Sequence, residues 1–360
     1  MSTYDLLANL PVEVDGYALS GLSAEVSPTF TRVCTVITIS GDGDGGVDGV
    51  GEDVTYHPED HEALWAAGPV LDLAGSWTLG ELCARIESLD LFPMAPVWEV
   101  SRIYRIWGFE SAALDLALRQ NGLPLFAALR RTPKPMRYVV SLGLGDPPTL
   151  DPVKRRLALD PTLRFKLDAK SSWTPELIEA LVATGAVDSI DLKSFYRDTQ
   201  VDQPADPVLY QRVAVAFPDA WLEDPDIIDP ATAAVLEPYH DRITWDYPIH
   251  SVADIEALAF KPRTVNVKPS RIGTLERLCA AYDYCERNEI GAYSGGQTEL
   301  GPGRGQAQYL SAVFHPDAPN DLAPSAYNQE FPPAGLPPSP LWPVPDTPGF
   351  RWEQDVPTLA

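Results

Sequence analysis

The sequence predicts an α/β protein, a (β/α)7–8 barrel of the TIM type preceded by an α+β capping domain. Three observations predict it. From Met136 to about Pro324, short β-rich runs alternate with helical ones. Units of this length imply a parallel sheet, and about eight of them imply closure into a barrel. Ahead of that region, strand-like runs are followed by segregated helices, the pattern of a small α+β layer. Four successive strand candidates of the barrel also end on an ionisable residue, at the edge where barrels of this type build their sites.

The elements follow in order. Residues 1–132 form the expected capping domain. It holds a strand at Thr31–Ile39, a glycine- and aspartate-rich turn over 41–54, and a helix at Gly108–Gln120. That helix is read from apolar positions three and four apart, with Asn121-Gly122 as its stop. His57 and His61 have the spacing of a helical metal pair, but Pro58 between them points to a surface loop instead. Residues 133–328 form the expected barrel. Its strand candidates are MRYVVSL, LRFKLDA, VDSIDL, AWLED, RITWDY, TVNVKPS and IGAYSGG, with a weaker eighth near DLAPS. Helices are expected at TPELIEALVATG, PVLYQRVAVAF, SVADIEAL and TLERLCAAYDYCERN. An open doubly wound sheet is the alternative, but no GxGxxG follows the first strand to favour its dinucleotide-binding form. Residues 329–360 are proline-rich and lack a helical period. Leu341, Trp342, Val344, Phe350 and Trp352 mark them as an extended strap packed back on the capping domain.

Composition narrows the function. With 51 acidic and 27 basic residues the net charge is -24, which argues against nucleic acid or an anionic membrane as partner. No apolar run has the length of a membrane span, and the N-terminus lacks the marks of a signal peptide, so a cytoplasmic location is expected. Cys34, Cys83, Cys279 and Cys285 form no CxxC pair and read as reduced, buried thiols.

The chemistry-bearing residues are Asp191 in SIDLK, Glu223 in WLEDP, Asp246 in TWDYP and Lys268 in NVKPS. Three carboxylates converging from adjacent strands cannot all stay ionised without a cation between them. Hard oxygen ligands suit Mg²⁺.

The run Asn266-Val267-Lys268-Pro269-Ser270-Arg271-Ile272-Gly273 resembles the sixth-strand motif of the enolase superfamily, in its muconate lactonizing and mandelate racemase branch. Ser294–Glu299 resembles the later glycine-rich strand with its glutamate, and Glu223-Asp224-Pro225 the fourth-strand motif. Asp246 stands where the family has a fifth-strand aspartate. Gly49-Val50-Gly51-Glu52, the helix GFESAALDLALRQNGLPL and the ending VPDTPGFRWE are similar to further family elements. The resemblance implies Mg²⁺ on Asp191, Glu223 and Asp246, and a small carboxylic acid as substrate. It also implies removal of the proton α to that carboxylate, with the metal holding an ene-diolate. Lys268 is the implied base and Lys166 its electrostatic helper, with Asn266 and Glu299 at the site's edge. A salt bridge to one of the acids is the structural alternative for Lys268. Gly21–Thr29 is the candidate lid.

Two motifs depart from the family. Where the second strand usually carries Lys-x-Lys, this chain has Lys166-Leu167-Asp168; where the third carries Asp-x-Asn, it has Asp191-Leu192-Lys193. Residues two apart on a strand share a face, so Asp168 and Lys193 are expected to form a compensating ion pair inside the barrel. Without a second lysine, dehydration or cycloisomerisation of the o-succinylbenzoate synthase type is favoured over racemisation. No histidine lies on the sixth or seventh strand; His250 and His315 are placed in loops. The competing expectation is a barrel that has lost catalysis and binds a ligand or partner. A homo-oligomer is compatible with either.

Overall fold

The computed structural model describes residues 1–27, 30–41, 46–197 and 202–352. Its N-terminal layer contains β1 (Pro11–Val14), β2 (Gly16–Ser27), β3 (Phe30–Gly41), β4 (Val47–Asp53) and β5 (Gly75–Thr78). β2, β3 and β4 form an antiparallel sheet, and β1 pairs with β5. The expected loop at Gly21–Thr29 is corrected as far as residue 27. Gly21 pairs with Thr35 and Glu25 with Thr31, so the hairpin continues as strand, and residues 28–29 lie outside the described part. The surface-loop reading of the histidine pair is also corrected. Pro58 opens a helix, Pro58–Ala67, and His61 is buried on it, 2.8 Å from Thr35 Oγ1 and 2.9 Å from the Thr55 carbonyl.

The long helix of this layer, Ser101–Gln120, starts seven residues earlier than its apolar period suggested. It is buried on nearly all sides from Trp107 to Leu118, because it lies between the sheet and the barrel. Gly49 and Gly51 of β4 let the strand close on it. A methyl group at Gly51 would stand 2.1 Å from the Gly108 carbonyl oxygen.

The barrel begins with β6 (Val140–Leu142), β7 (Phe165–Asp168), β8 (Val187–Asp191), β9 (Trp221–Glu223) and β10 (Ile243–Thr244), which pair in parallel in chain order. β11 (Thr264–Asn266) and β12 (Gly291–Tyr293) form a second parallel arc. The arcs meet where the Asn266 amide donates to the Trp245 carbonyl at 2.9 Å. On the far side the expected eighth strand shrinks to Asn320 and Asp321. The Asp321 amide donates to Ser294, and the Val139 amide to Asn320, both at 2.8 Å. Eight parallel positions thus close the ring. Helices fill the crossovers, and Thr174, Asp206, Asp229, Ser251 and Thr274 cap their N-termini.

The strand period of two separates the faces. Leu167, Ile190, Leu222, Ile243 and Val265 are fully buried in the apolar core. Lys166, Asp191, Glu223, Thr244 and Asn266 alternate with them on the inner face. The C-terminal segment runs back across both layers. Leu341 pairs with Met136, Gly349 bridges to Pro124, and Leu341, Val344, Phe350 and Trp352 are buried. Trp342, expected as an anchor, is instead 61% exposed.

Candidate active site and metal centre

Strand register places the carboxylates. Asp168 of β7 stands opposite Asp191 of β8, Asp191 opposite Glu223 of β9, and Glu223 opposite Thr244 of β10. Three acids therefore lie in one transverse row at the C-terminal edge of the sheet. Lys166 sits two residues below Asp168 on the same face and extends its long stem up into the row. Its Nζ lies 3.1 Å from Asp191 and 3.6 Å from Asp321, and it also donates to Glu223 Oε1. The Tyr293 hydroxyl donates to the other Glu223 oxygen at 2.6 Å.

Asp246 follows β10. Its two oxygens accept from Lys268 Nζ at 2.8 Å and Arg271 Nη1 at 2.7 Å, and Tyr196 adds a hydroxyl at 3.3 Å. Among the described residues, the acids whose oxygens gather within 4.8 Å of one another are Asp191, Glu223 and Asp224. Asp224 was not singled out from sequence. Its two carboxylate oxygens accept the backbone amides of Asp246 and Tyr247 at 2.8 and 2.9 Å, bracing the backbone that presents Asp246.

The other expected site residues divide by surroundings. Lys193 Nζ lies 3.4 Å from Asp168 Oδ1, so the exchanged pair is formed, and the same ammonium reaches Asp191 Oδ2. Asn266 is fully buried, and among the described residues neither atom of its carboxamide has a hydrogen-bond partner. Gly295 lies flat against it and Lys268: a methyl group there would stand 3.0 Å from Lys268 Cε and 3.2 Å from Asn266 Nδ2. Glu299 is turned into its own loop, accepting from the Gln297 amide at 2.6 Å and facing Arg304 at 3.6 Å. His250 Nδ1 lies 3.2 Å from the Arg271 carbonyl. Arg271, Tyr196, Tyr293 and Asp321 join the site without having been singled out individually. Arg271 and Asp321 stood inside quoted motifs, and the two tyrosines carried no signal that separates them from core aromatics.

Burial and neighbouring charge together set the protonation of the cluster. Burial and then Asp191, Asp246 and Asp224 hold the Glu223 carboxyl well above the usual carboxylate range. Burial and then the Asp246 and Asp191 charges push Asp224 up to about 7. Burial also acts against Asp191, but Lys166 and Lys193 outweigh it and bring it down to about 2. Asp246 is lowered because Arg271 and Lys268 overcome its burial. Lys268 itself is lowered by burial and by Arg271, against the opposing pull of Asp246.

This set fits a divalent cation. Asp168, Asp191, Glu223, Asp224, Asp246 and Asp321 face Lys166, Lys193, Lys268 and Arg271, so acids exceed fixed cations by two. Burial and, behind it, this excess raise the affinity of Glu223 and Asp224 for protons. A hard doubly charged ion with oxygen ligands relieves the same repulsion.

Comparisons with known proteins agree with this architecture. Residues 132–329 match the family model described as the C-terminal domain of a domain of unknown function, DUF8230, and residues 5–128 match its N-terminal domain. The chain is 26% identical to the o-succinylbenzoate synthase of Bacillus subtilis over 234 residues, a stretch covering 61% of this chain. The chain spans about three fifths of that relative, 59% of its length. The muconate lactonizing enzyme of Pseudomonas fluorescens, solved with muconolactone, superposes with a TM-score of 0.65 at 16% identity, covering 94% of this chain and 96% of that one. An enolase superfamily member from Listeria innocua superposes at 0.61 with 18% identity, over 87% and 86% of the two chains. The chain has the capping-domain and barrel fold of the enolase superfamily and resembles its muconate lactonizing and mandelate racemase branch. It belongs to the DUF8230 family.

Proposed function

We propose that this chain is a lyase or isomerase that removes the proton α to the carboxylate of a small organic acid. Lys268 is the base, and Mg²⁺ is held by Asp191, Glu223 and Asp246. The observation that carries this reading is Lys268 itself: buried 2.8 Å from Asp246 at the edge of the carboxylate cluster, with its ammonium form disfavoured by burial and Arg271. The lowering favours the neutral amine, the form that can accept a proton from carbon. Magnesium, when bound, supplies Lewis-acid stabilisation of the charge that develops on the substrate carboxylate. Lys166 contributes a fixed positive charge to the same region. Gly295 keeps the space beside the Lys268 stem open, and the carboxamide of Asn266 offers the substrate both its donor NH2 and its acceptor oxygen. Asp224 holds the backbone that presents Asp246.

Asp168 stands where a second lysine would act, so one-base chemistry, dehydration or cycloisomerisation, ranks above racemisation. The o-succinylbenzoate synthase reaction heads the substrate screen. No helix among the described residues is long and apolar enough to cross a membrane, and a cytoplasmic location agrees with this reading. The test is solvent deuterium uptake at the α-carbon, followed by NMR over a panel of carboxylic acids with Mg²⁺ present. Lys268→Ala is expected to lower exchange by about 10²–10⁴-fold. Unchanged exchange in that variant would remove Lys268 from the role.

A second reading is favoured by one feature. Lys166 and Lys193 already occupy Asp191, and Lys166 occupies Glu223, as internal counter-ions. If they exclude the metal, the barrel is a non-catalytic ligand- or partner-binding protein. Calorimetry with Mg²⁺ separates the two readings, because the enzyme requires saturable binding that Asp246→Ala abolishes.

A further inference from the structure

Asp191 takes two ammoniums and a backbone amide. Its Oδ2 accepts from both Lys193 Nζ, at 2.5 Å, and Lys166 Nζ, at 3.1 Å, while its Oδ1 accepts the Lys193 backbone amide at 3.1 Å. Lys193 adopts a positive φ of 52°, a region that disfavours residues with a side chain. Its ammonium has a second carboxylate beside it. Asp168 Oδ1 is 3.4 Å away, buried, and among the described residues without a hydrogen-bond partner of its own. An oxygen already in ion-pair range of that ammonium, but without a hydrogen bond, can receive it fully as it leaves Asp191.

Resting on the metal-site reading above, we infer that Lys193 is a built-in competitor for the metal ligand Asp191, and that Asp168 is the position to which it retreats when the metal binds. A divalent ion on Asp191 and the Lys193 ammonium repel each other at this range, in a site shielded from water. Moving the ammonium to Asp168 keeps it paired and takes one of the two ammoniums off Asp191, leaving Lys166 as the other. The exchanged motifs thus make metal affinity depend on a side-chain transfer between two neighbouring strands. Asn at position 193 could not compete in this way, because it carries no charge.

The transfer gives opposite signs for its two members. Lys193→Met keeps the stem, removes the competitor and is expected to tighten Mg²⁺ or Mn²⁺ binding by about tenfold or more. Asp168→Asn removes the receiving carboxylate, leaves Lys193 on Asp191 and is expected to weaken binding by a similar factor. Asp168 would also favour any cation nearby through its field alone, and the double variant distinguishes the two effects. If Asp168 acts through Lys193, Asp168→Asn has no further effect in the Lys193→Met background; if it acts as a bare field, its effect persists undiminished. Metal titration calorimetry on the full chain reads all four proteins. Thermal melting confirms that each is folded, and Asp191→Asn is the control for binding at the site. A parent that binds metal while Lys193→Met binds no tighter, or an undiminished Asp168→Asn effect in the double variant, overturns the transfer and leaves the metal site standing. Absence of binding in both the parent and Lys193→Met overturns the transfer and the metal-site reading together.

Discussion

Burial and the Arg271 guanidinium disfavour the charged form of Lys268, while Asp246 at 2.8 Å favours it, and the balance falls below an ordinary lysine. A base must be neutral to accept a proton, so kcat/KM for α-proton exchange should rise with pH. The midpoint of that limb should lie below the value of about 10.4 for a free lysine. A limb centred at or above that value would count against Lys268 as the base. Gly295 makes the second residue-scale prediction. Gly295→Ala places a methyl group 3.0 Å from Lys268 Cε and 3.2 Å from Asn266 Nδ2. Both side chains must shift, so exchange should fall by an order of magnitude or more with little change in melting temperature. A drop in stability with full activity would show that Gly295 serves packing alone.

β4 and the helix Ser101–Gln120 are held at a distance that only glycine permits. Gly51→Ala would press a methyl group to 2.1 Å from the Gly108 carbonyl, and neither backbone can move without separating sheet from helix. We expect a loss of about 1–3 kcal/mol in urea denaturation. The next residue, Glu52, ties this strand to the barrel. Its carboxylate accepts the amides of Leu300, Gly301 and Gly303 at 2.7, 3.0 and 2.9 Å, at the start of the helix Pro302–Phe314. The G-x-G-E motif is therefore a clamp with two parts, close approach by the glycines and amide capping by the glutamate. Barrel helices use simpler caps. Asp229 accepts from Ala231 and Thr232, and Asp229→Ala should cost about 1 kcal/mol without touching the site.

Closure of the barrel depends on Asn320. Its Oδ1 accepts from the Ser294 amide at 3.0 Å and faces His315 Nδ1 at 2.8 Å, while its Nδ2 donates to the Arg137 carbonyl at 3.0 Å. The seventh strand, the first strand and the last helix thus meet on one side chain. Burial holds His315 down at about 4, against about 6.5 for a free histidine. Between those values the unfolded chain binds a proton that the folded chain refuses, so stability should fall as pH drops from about 6.5 toward 4. The contribution is roughly 3 kcal/mol at most. Urea midpoints at pH 7.5 and pH 5 should converge more closely in His315→Gln than in the parent; equal slopes would place the acid sensitivity elsewhere. The C-terminal strap is tied by Arg351, whose guanidinium lies 2.6 Å from Asp115 and 3.2 Å from Asp48. Arg351→Ala should cost about 1.5–3 kcal/mol, because Asp115 is buried.

The sequence alone determined what depends on local spacing. Alternating β and helical runs specified the parallel barrel, and TPELIEALVATG, PVLYQRVAVAF and TLERLCAAYDYCERN located three of its helices. Acids at successive strand ends located Asp191 and Glu223 in one row, because parallel register carries neighbouring strand ends to one height, whereas the register puts Thr244 and not Asp246 opposite Glu223. The exchanged Asp168–Lys193 pair was legible for the same reason: side chains two apart share a face. The tertiary structure decided what depends on contacts between distant segments. Asp224 entered the cluster through backbone amides at the neighbouring strand end, and Asn320 closed the ring through three partners spread over the chain. His61 became a core residue because the sheet folds over its helix. The hairpin at Gly21 continued as strand because β3 supplied the facing ladder. No periodicity encodes such pairings, since they arise only when packing brings remote groups to hydrogen-bond range.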